Sequence, residues 1–376
     1  MAHYTLNTNN GEVETRRVSD AEAAFIVGSG GKTKSKLCTV SGARIDLVGK
    51  PNGPNHLEIR GNSDQRFRAK KYINFLIAQR HGPVQIDDPA IHDDLTLLVV
   101  PSDAVSYLTG KAGASLRQVE EDCGALLFFL QVDPRNPPQT VDPNRTERLA
   151  IFGPVRARRA AELKVMAAVE AKQPNHFLKD AAPKESADPG FATDTIFIKE
   201  EDYLYVIGRS GMTRKKLAKA SNCIVEYVGK TAHFSGTKKE RTRAREYFQW
   251  LCQQRSGKNI DMEYEGRDDV TAITVPSSCI GFVTGPKGMS LRSIEDETTT
   301  FCFMNSNGED STDEQRICIF GRTEDRTKAE NMIWERISQK IDEVEKGIDT
   351  DRPRKGKGKG GKDKGEKGEK GEKGEK

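Results

Sequence analysis

No apolar run in the 376-residue sequence approaches the length of a membrane span: the longest, Ala125 to Leu130, is far short of the roughly 20 residues a bilayer requires. The N-terminal stretch MAHYTLNTNNGEVETRR is polar and has no signal-peptide apolar core, so an intracellular, soluble protein is expected, cytoplasmic or nuclear and without a membrane partner. Cysteine usage excludes two further classes. The seven cysteines, at 38, 123, 223, 252, 279, 302 and 318, are odd in number, and none forms a CxxC. The six histidines do not gather near them, so free thiols are expected, with no zinc site and no cofactor. A large excess of one charge is also lacking, since the net charge is only +4. Residues 352–376 alone hold 11 Lys and Arg against 5 Asp and Glu, which leaves the rest of the chain slightly acidic. Any nucleic-acid binding by folded parts must therefore rest on local basic patches.

What the chain does have is repetition. Phe25-Ile-Val-Gly-Ser-Gly-Gly31 aligns with Tyr205-Val-Ile-Gly-Arg-Ser-Gly211, and each is followed by a segment ending Val-Gly-Lys. A second pair, Tyr107-Leu-Thr-Gly-Lys-Ala-Gly113 and Phe282-Val-Thr-Gly-Pro-Lys-Gly288, is followed by SLRQVE and SLRSIE and later by Ile-Phe-Gly. The units alternate along the chain, as if a two-unit block had been duplicated. One spacing joins all four: Val18, Val100, Ile198 and Val275, each closing a presumed strand, stand ten positions before the first glycine.

The second unit shows the local pattern best. Leu95–Val100 is β-rich and bounded by Pro101, hence a strand. Ser102 and Asp103 can cap a short helix through Tyr107. Gly110-Lys-Ala-Gly113 interrupts it, and Ala114 to Asp122 resumes a helical pattern. Strands follow at 125–132 and 148–152, then an Ala-rich amphipathic helix over 155–172. This strand–helix–GxxG–helix–strand–strand–helix order resembles the type I K-homology (KH) domain, from about residue 12 to 346. The fold class implied is α+β: four tandem KH domains, each a three-stranded sheet with three helices. The boundaries expected are 12–82, 83–172, 193–258 and 259–346, with a flexible linker at 173–192 and a disordered Lys/Gly/Glu-rich tail at 347–376.

The resemblance implies single-stranded RNA as partner, with each GxxG loop clamping the backbone of about four nucleotides. Candidate RNA-binding residues are Gly28, Ser29, Gly30, Gly31, Lys32 and Lys34 in the first unit, and Gly110, Lys111, Ala112 and Gly113 in the second. The third offers Gly208, Arg209, Ser210, Gly211 and Arg214; the fourth, Gly285, Pro286, Lys287 and Gly288. Glycine lets phosphates approach the main chain, and the helix that follows presents unpaired N–H groups to them. No middle residue of any loop is acidic. Ile45, Leu47, Ile224 and Val225 are expected to line the base-binding grooves of the odd units. Three residues after the second glycine the family usually has an aliphatic residue; Leu116 and Leu291 keep it, whereas the odd units carry Lys34 and Arg214.

Charge separates the two kinds of unit. The first and third carry +6 and +7, the second and fourth −3 and −9. The odd units are therefore the expected RNA contacts, and the even units are candidates for protein partners or for packing on their basic neighbours. An enzyme is not expected. Gly28-Ser-Gly-Gly-Lys-Thr33 resembles the end of a P-loop, but the leading glycine is replaced by Ile26. A dinucleotide fingerprint fails likewise, because Thr33 stands where its third glycine belongs. A KH-fold scaffold for proteins, or a binder of single-stranded DNA, is the alternative reading. The RNA sequence preferred and the oligomeric state are not legible.

Overall fold

The computed structural model describes residues 12–49, 55–82, 84–86, 92–130, 145–177, 184–256, 260, 262–305 and 314–346. The expected tail and the Pro/Asn-rich loop at 131–144 lie outside them. In the first unit, β1 (Val13–Arg17) leads to α1 (Asp20–Val27), the glycine loop, α2 (Lys32–Ser41), β2 (Arg44–Val48), β3 (His56–Arg60) and α3 (Ser63–His81). Its counterparts in the second unit are β4 (Leu95–Pro101), α4 (Val105–Thr109), α5 (Ala114–Cys123), β5 (Leu126–Phe129), β6 (Thr146–Phe152) and α6 (Val155–Lys172). The third comprises β7 (Ala192–Phe197), α7 (Glu200–Ile207), α8 (Met212–Ser221), β8 (Ile224–Val228), β9 (Thr231–Gly236) and α9 (Lys238–Arg255). The fourth comprises β10 (Val270–Pro276), α10 (Ser277–Thr284), α11 (Met289–Thr298), β11 (Phe301–Asn305), β12 (Glu314–Phe320) and α12 (Thr323–Glu345).

Short-range chemistry sets these limits. Ser19 caps α1 and Glu22 returns the bond to the cap backbone; Asn62 with Gln65 and Thr237 with Glu240 do the same for α3 and α9. The second helix of each unit stops at a residue with left-handed backbone: Gly42, Gly124, Asn222 and Thr299.

Each sheet is antiparallel with its last strand in the middle, in the orders β1-β3-β2, β4-β6-β5, β7-β9-β8 and β10-β12-β11. The unit's own three helices cover one face. The opposite face is treated differently from unit to unit. In the second sheet it carries Leu126, Phe128 and Phe152, and α3 of the preceding unit packs on it through Tyr72 and Phe75. In the fourth it carries Phe301, Phe303 and Phe320, met by Tyr247 and Trp250 of α9. The third sheet is covered by α6, whose Arg159 donates to Thr193. On the first sheet the outward residues of β1, Val13, Thr15 and Arg17, are exposed.

The expectation of a flexible linker at 173–192 needs correction over its described second part. Arg241, fully buried, donates to the carbonyls of Ser186, Asp188 and Gly190 and ion-pairs with Asp194 at 3.0 Å. One guanidinium satisfies a stretch of backbone that would otherwise be loose, and so fixes residues 186–190 to the third unit.

Candidate nucleic-acid interface

The four glycine loops are conformational copies. Gly28, Gly110, Gly208 and Gly285 all have φ between 68° and 70° with an extended ψ. A side chain at any of them would collide with a hydroxyl five residues on, that of Thr33, Ser115, Thr213 or Ser290. The first glycine is thus required twice, by its backbone and by this close approach. A Ser or Thr at this offset in all four units is a signal the sequence reading passed over. The third loop residue also has positive φ whether it is Gly30, Ala112, Ser210 or Lys287.

Each loop is one 3₁₀ turn, closed by a bond from the N–H of the last glycine to the carbonyl of the first, 3.1–3.2 Å long. The ten-residue helix that follows is entered from Gly31, Gly113, Gly211 or Gly288, with no side chain capping it. The first amide of each helix, that of Lys32, Ala114, Met212 or Met289, bonds back to the carbonyl of the second loop residue, and the positive end of the helix dipole is left facing the loop for an anion. Lys111, Arg209 and Lys287 stand on the loops themselves, and Lys32 opens α2, its side chain 76% exposed.

The groove beside each loop lies between this helix and the edge strand of the sheet. Ile45 and Val225 point to the helix side and are buried, and Leu47 follows Ile45 in the same alternation. Ile224 was expected with them but takes the opposite face, because side chains alternate along β8 and Val225 already faces inward. Lys34 and Arg214 do not hang free over the groove. Lys34 lies 3.8 Å from Asp46, and Arg214 pairs with Glu226 at 2.7 Å while donating to the Val225 carbonyl at 2.6 Å. Burial pushes the Glu226 carboxyl up, opposed by the Arg214 charge.

The helices of neighbouring units are clamped together by charge. Lys36 of α2 meets Glu120 of α5 at 2.6 Å, and the equivalent Lys216 of α8 meets Glu295 and Asp296 of α11, each at 3.1 Å. Each glutamate also accepts a backbone N–H, from Leu127 or Cys302. Burial raises the pKa of both glutamates; it also works against the Lys216 ammonium, but the two carboxylates more than offset it, so that pKa too is raised. Basic odd units and acidic even units are thus partners within the chain. Among the described residues no group of three or more His, Cys, Asp or Glu could hold a metal.

With this geometry in view, the comparisons with known proteins fall into place. The family model described as the KH domain matches residues 13–75 and 270–335. Human Far upstream element-binding protein 2 is 23% identical over 158 residues, which is 40% of this chain and 21% of the relative. Far upstream element-binding protein 1 of Rattus norvegicus is 22% identical over 126 residues, 33% of this chain and 20% of the relative. The chain thus spans about a fifth of the length of these relatives. Among solved structures, Dim2p from Pyrococcus horikoshii is 19% identical, covers 42% of this chain and 89% of its own, and superposes with a TM-score of 0.23. A structure described as KH domains covers 67% of this chain and 66% of its own, at 13% identity and a TM-score of 0.16.

Proposed function

We propose that this chain, a member of the KH-domain family, binds single-stranded RNA through its glycine loops and the grooves beside them, in post-transcriptional regulation. The observation that carries the reading is the fourfold identity of the loop backbone joined to four uncapped helix starts, with no acidic residue on any loop. Phosphates would lie against the loop amides and the side chains of Lys32, Lys111, Arg209 and Lys287, while bases enter the adjoining groove. Gly28, Gly31, Gly110, Gly113, Gly208, Gly211, Gly285 and Gly288 shape the loops; Ser29, Gly30, Ala112, Ser210 and Pro286 complete them. The RNA-contacting domains are taken as 12–82, 83–172, 193–258 and 259–346, with the basic first and third contributing most. The role is binding, with no reaction assigned.

The even units as docking sites for basic proteins form the second reading, motivated by their charge. Part of that acidity already has an internal use, since Glu120 and Glu295 hold Lys36 and Lys216. The test is binding of the full chain to randomised single-stranded RNA at near-physiological salt, followed by the variants S29D/G30D combined with R209D/S210D. Retained helix content with most RNA affinity lost is expected. Unchanged affinity across a salt titration would remove the odd units from the account, and no binding by the parent chain would leave the scaffold reading in possession. Single-stranded DNA of matching sequence, titrated in parallel, measures how far the 2′-hydroxyl matters.

A further inference from the structure

Arg214 uses only part of its guanidinium. It stands on α8 three residues after Gly211, and its Nη1 donates both to Glu226 and to the carbonyl of Val225. Val225 lies on β8, the free edge of the third sheet. The side chain therefore spans the gap between α8 and that edge, the place where a base enters in the proposed binding mode. Nε and Nη2 make no hydrogen bond to any described residue. They form two parallel donors on one planar edge, and the anchored Nη1 fixes their direction. The arginine is 19% exposed and Glu226 10%, so the pair is held in place by its surroundings and still open on one side.

Resting on the RNA-binding reading above, we infer that Arg214 makes the third unit select a base that offers two adjacent acceptors. Guanine does so with O6 and N7, cytosine with N3 and O2. Adenine sets its amino donor beside N1 and N7 and offers N3 alone, and uracil places an N–H between its two carbonyls, so neither satisfies the fork. The other units lack this device. Lys34, at the equivalent place in the first unit, is a point charge 3.8 Å from Asp46 and carries no fork. Leu116 and Leu291 in the even units give an apolar floor. The chain would then read one discriminating position in the third unit against a tolerant background.

The test is selection of randomised single-stranded RNA by the full chain and by Arg214→Lys and Arg214→Leu. The parent should favour guanine or cytosine over adenine and uracil at one position by about ten- to a hundredfold. Arg214→Lys keeps the charge beside Glu226 and should reduce that preference to about threefold or less, as should Arg214→Leu. Replacing guanine in the selected RNA by 7-deazaguanine, with the protein unaltered, removes N7 without risk to folding: a matching loss identifies guanine, and no loss identifies cytosine. Uniform weakening for all four bases, with the salt slope reduced by about one, would make Arg214 a phosphate contact and overturn the inference. So would a preference that survives both variants. Binding by the parent without any such preference sinks this inference alone, whereas no RNA binding at all sinks the reading beneath it.

Discussion

The seams within the two pairs of units and the seam between the pairs are built from opposite materials. At the first-to-second and third-to-fourth seams, aromatic rings of a helix meet aromatic rings of the next sheet. Phe75 sits 5.0 Å from Phe152 and Trp250 sits 4.8 Å from Phe320, centroid to centroid. A tyrosine hydroxyl closes each, from Tyr72 to Asp94 at 2.5 Å and from Tyr247 to Asp269 at 2.7 Å. One continuous hydrophobic cluster crosses each of these seams. Among the described residues no cluster crosses the middle one. There α6 meets the first turn of α9 through Arg156 and Glu240 at 3.0 Å, and the third sheet through Arg159, Thr193 and Ser235 in a chain of bonds. His233 is buried beneath it with neither ring nitrogen bonded among the described residues. The same fold repeated four times is thus organised as two welded pairs with a polar joint, and the difference lies in the outward residues of the middle strand: Phe152 and Phe320 against His233 and Ser235.

Three measurements sharpen or break this comparison. The largest effect belongs to Trp250→Ala, which empties the ring cluster under α9 and should cost about 3–5 kcal/mol in denaturant unfolding. An effect below about 1 kcal/mol would show that the third-to-fourth seam is not the weld described.

Next is the pH response of the middle joint. Burial, with Arg159 nearby, lowers the His233 pKa from 6.5 to about 4. The folded state therefore favours the neutral ring. Its contribution is fully present above the unfolded value and is lost as pH falls from about 6.5 towards 4, by up to roughly 3 kcal/mol. His233→Leu should remove this loss, leaving in the window the opposite contribution of the raised carboxyls of Glu120, Glu226 and Glu295. The welded seams should respond lower, because Asp94 and Asp269 are held below the ordinary carboxylate range: burial opposes this, but the bonds from Lys71 and Tyr72, and from Arg267 and Tyr247, outweigh it. Persistence of the same slope in His233→Leu, followed by thermal melts from pH 7 to 4, would place the sensitivity elsewhere.

The smallest effect is expected for Lys32→Ala. Its contact with Glu121, 3.9 Å long and exposed on both sides, should contribute less than about 1 kcal/mol to stability. The same substitution should weaken RNA binding and lower its salt slope, so stability and affinity measured together separate the two roles.

Local features were legible in the sequence because local chemistry decides them. The strand–helix–loop order, the helix over 155–172 and the four glycine turns follow from periodicity, caps and spacing. What escaped was anything joining residues far apart. Ile224 was misplaced because a run of Ile-Val offers no register until the sheet fixes which residue faces in. Lys34 and Arg214 look like free cations until β2 and β8 bring Asp46 and Glu226 beside them. A trace of those pairs is nonetheless present, since both lie twelve positions apart, as Tyr72–Asp94 and Tyr247–Asp269 both lie twenty-two apart. In a chain that repeats itself, an ion pair recurring at one offset serves as a contact signal. The ring contacts by which a helix covers the next sheet recur at unequal offsets, 77 for Phe75–Phe152 and 70 for Trp250–Phe320, and they required the structure.

That covering gives synthesis a direction. Each last helix emerges before the sheet it will cover, so Tyr72 and Phe75 must wait for Phe152, about 80 residues later. At about 5–20 residues per second this is on the order of 4–16 s with an aromatic face bare on the growing chain. The wait recurs for Trp250, which stays uncovered until Phe320 is made. The polar face of α6 has less to hide while the third unit is being completed, and a pause in elongation there leaves a finished pair. The joint between the pairs is thus also the place where a half-made chain is least exposed to aggregation.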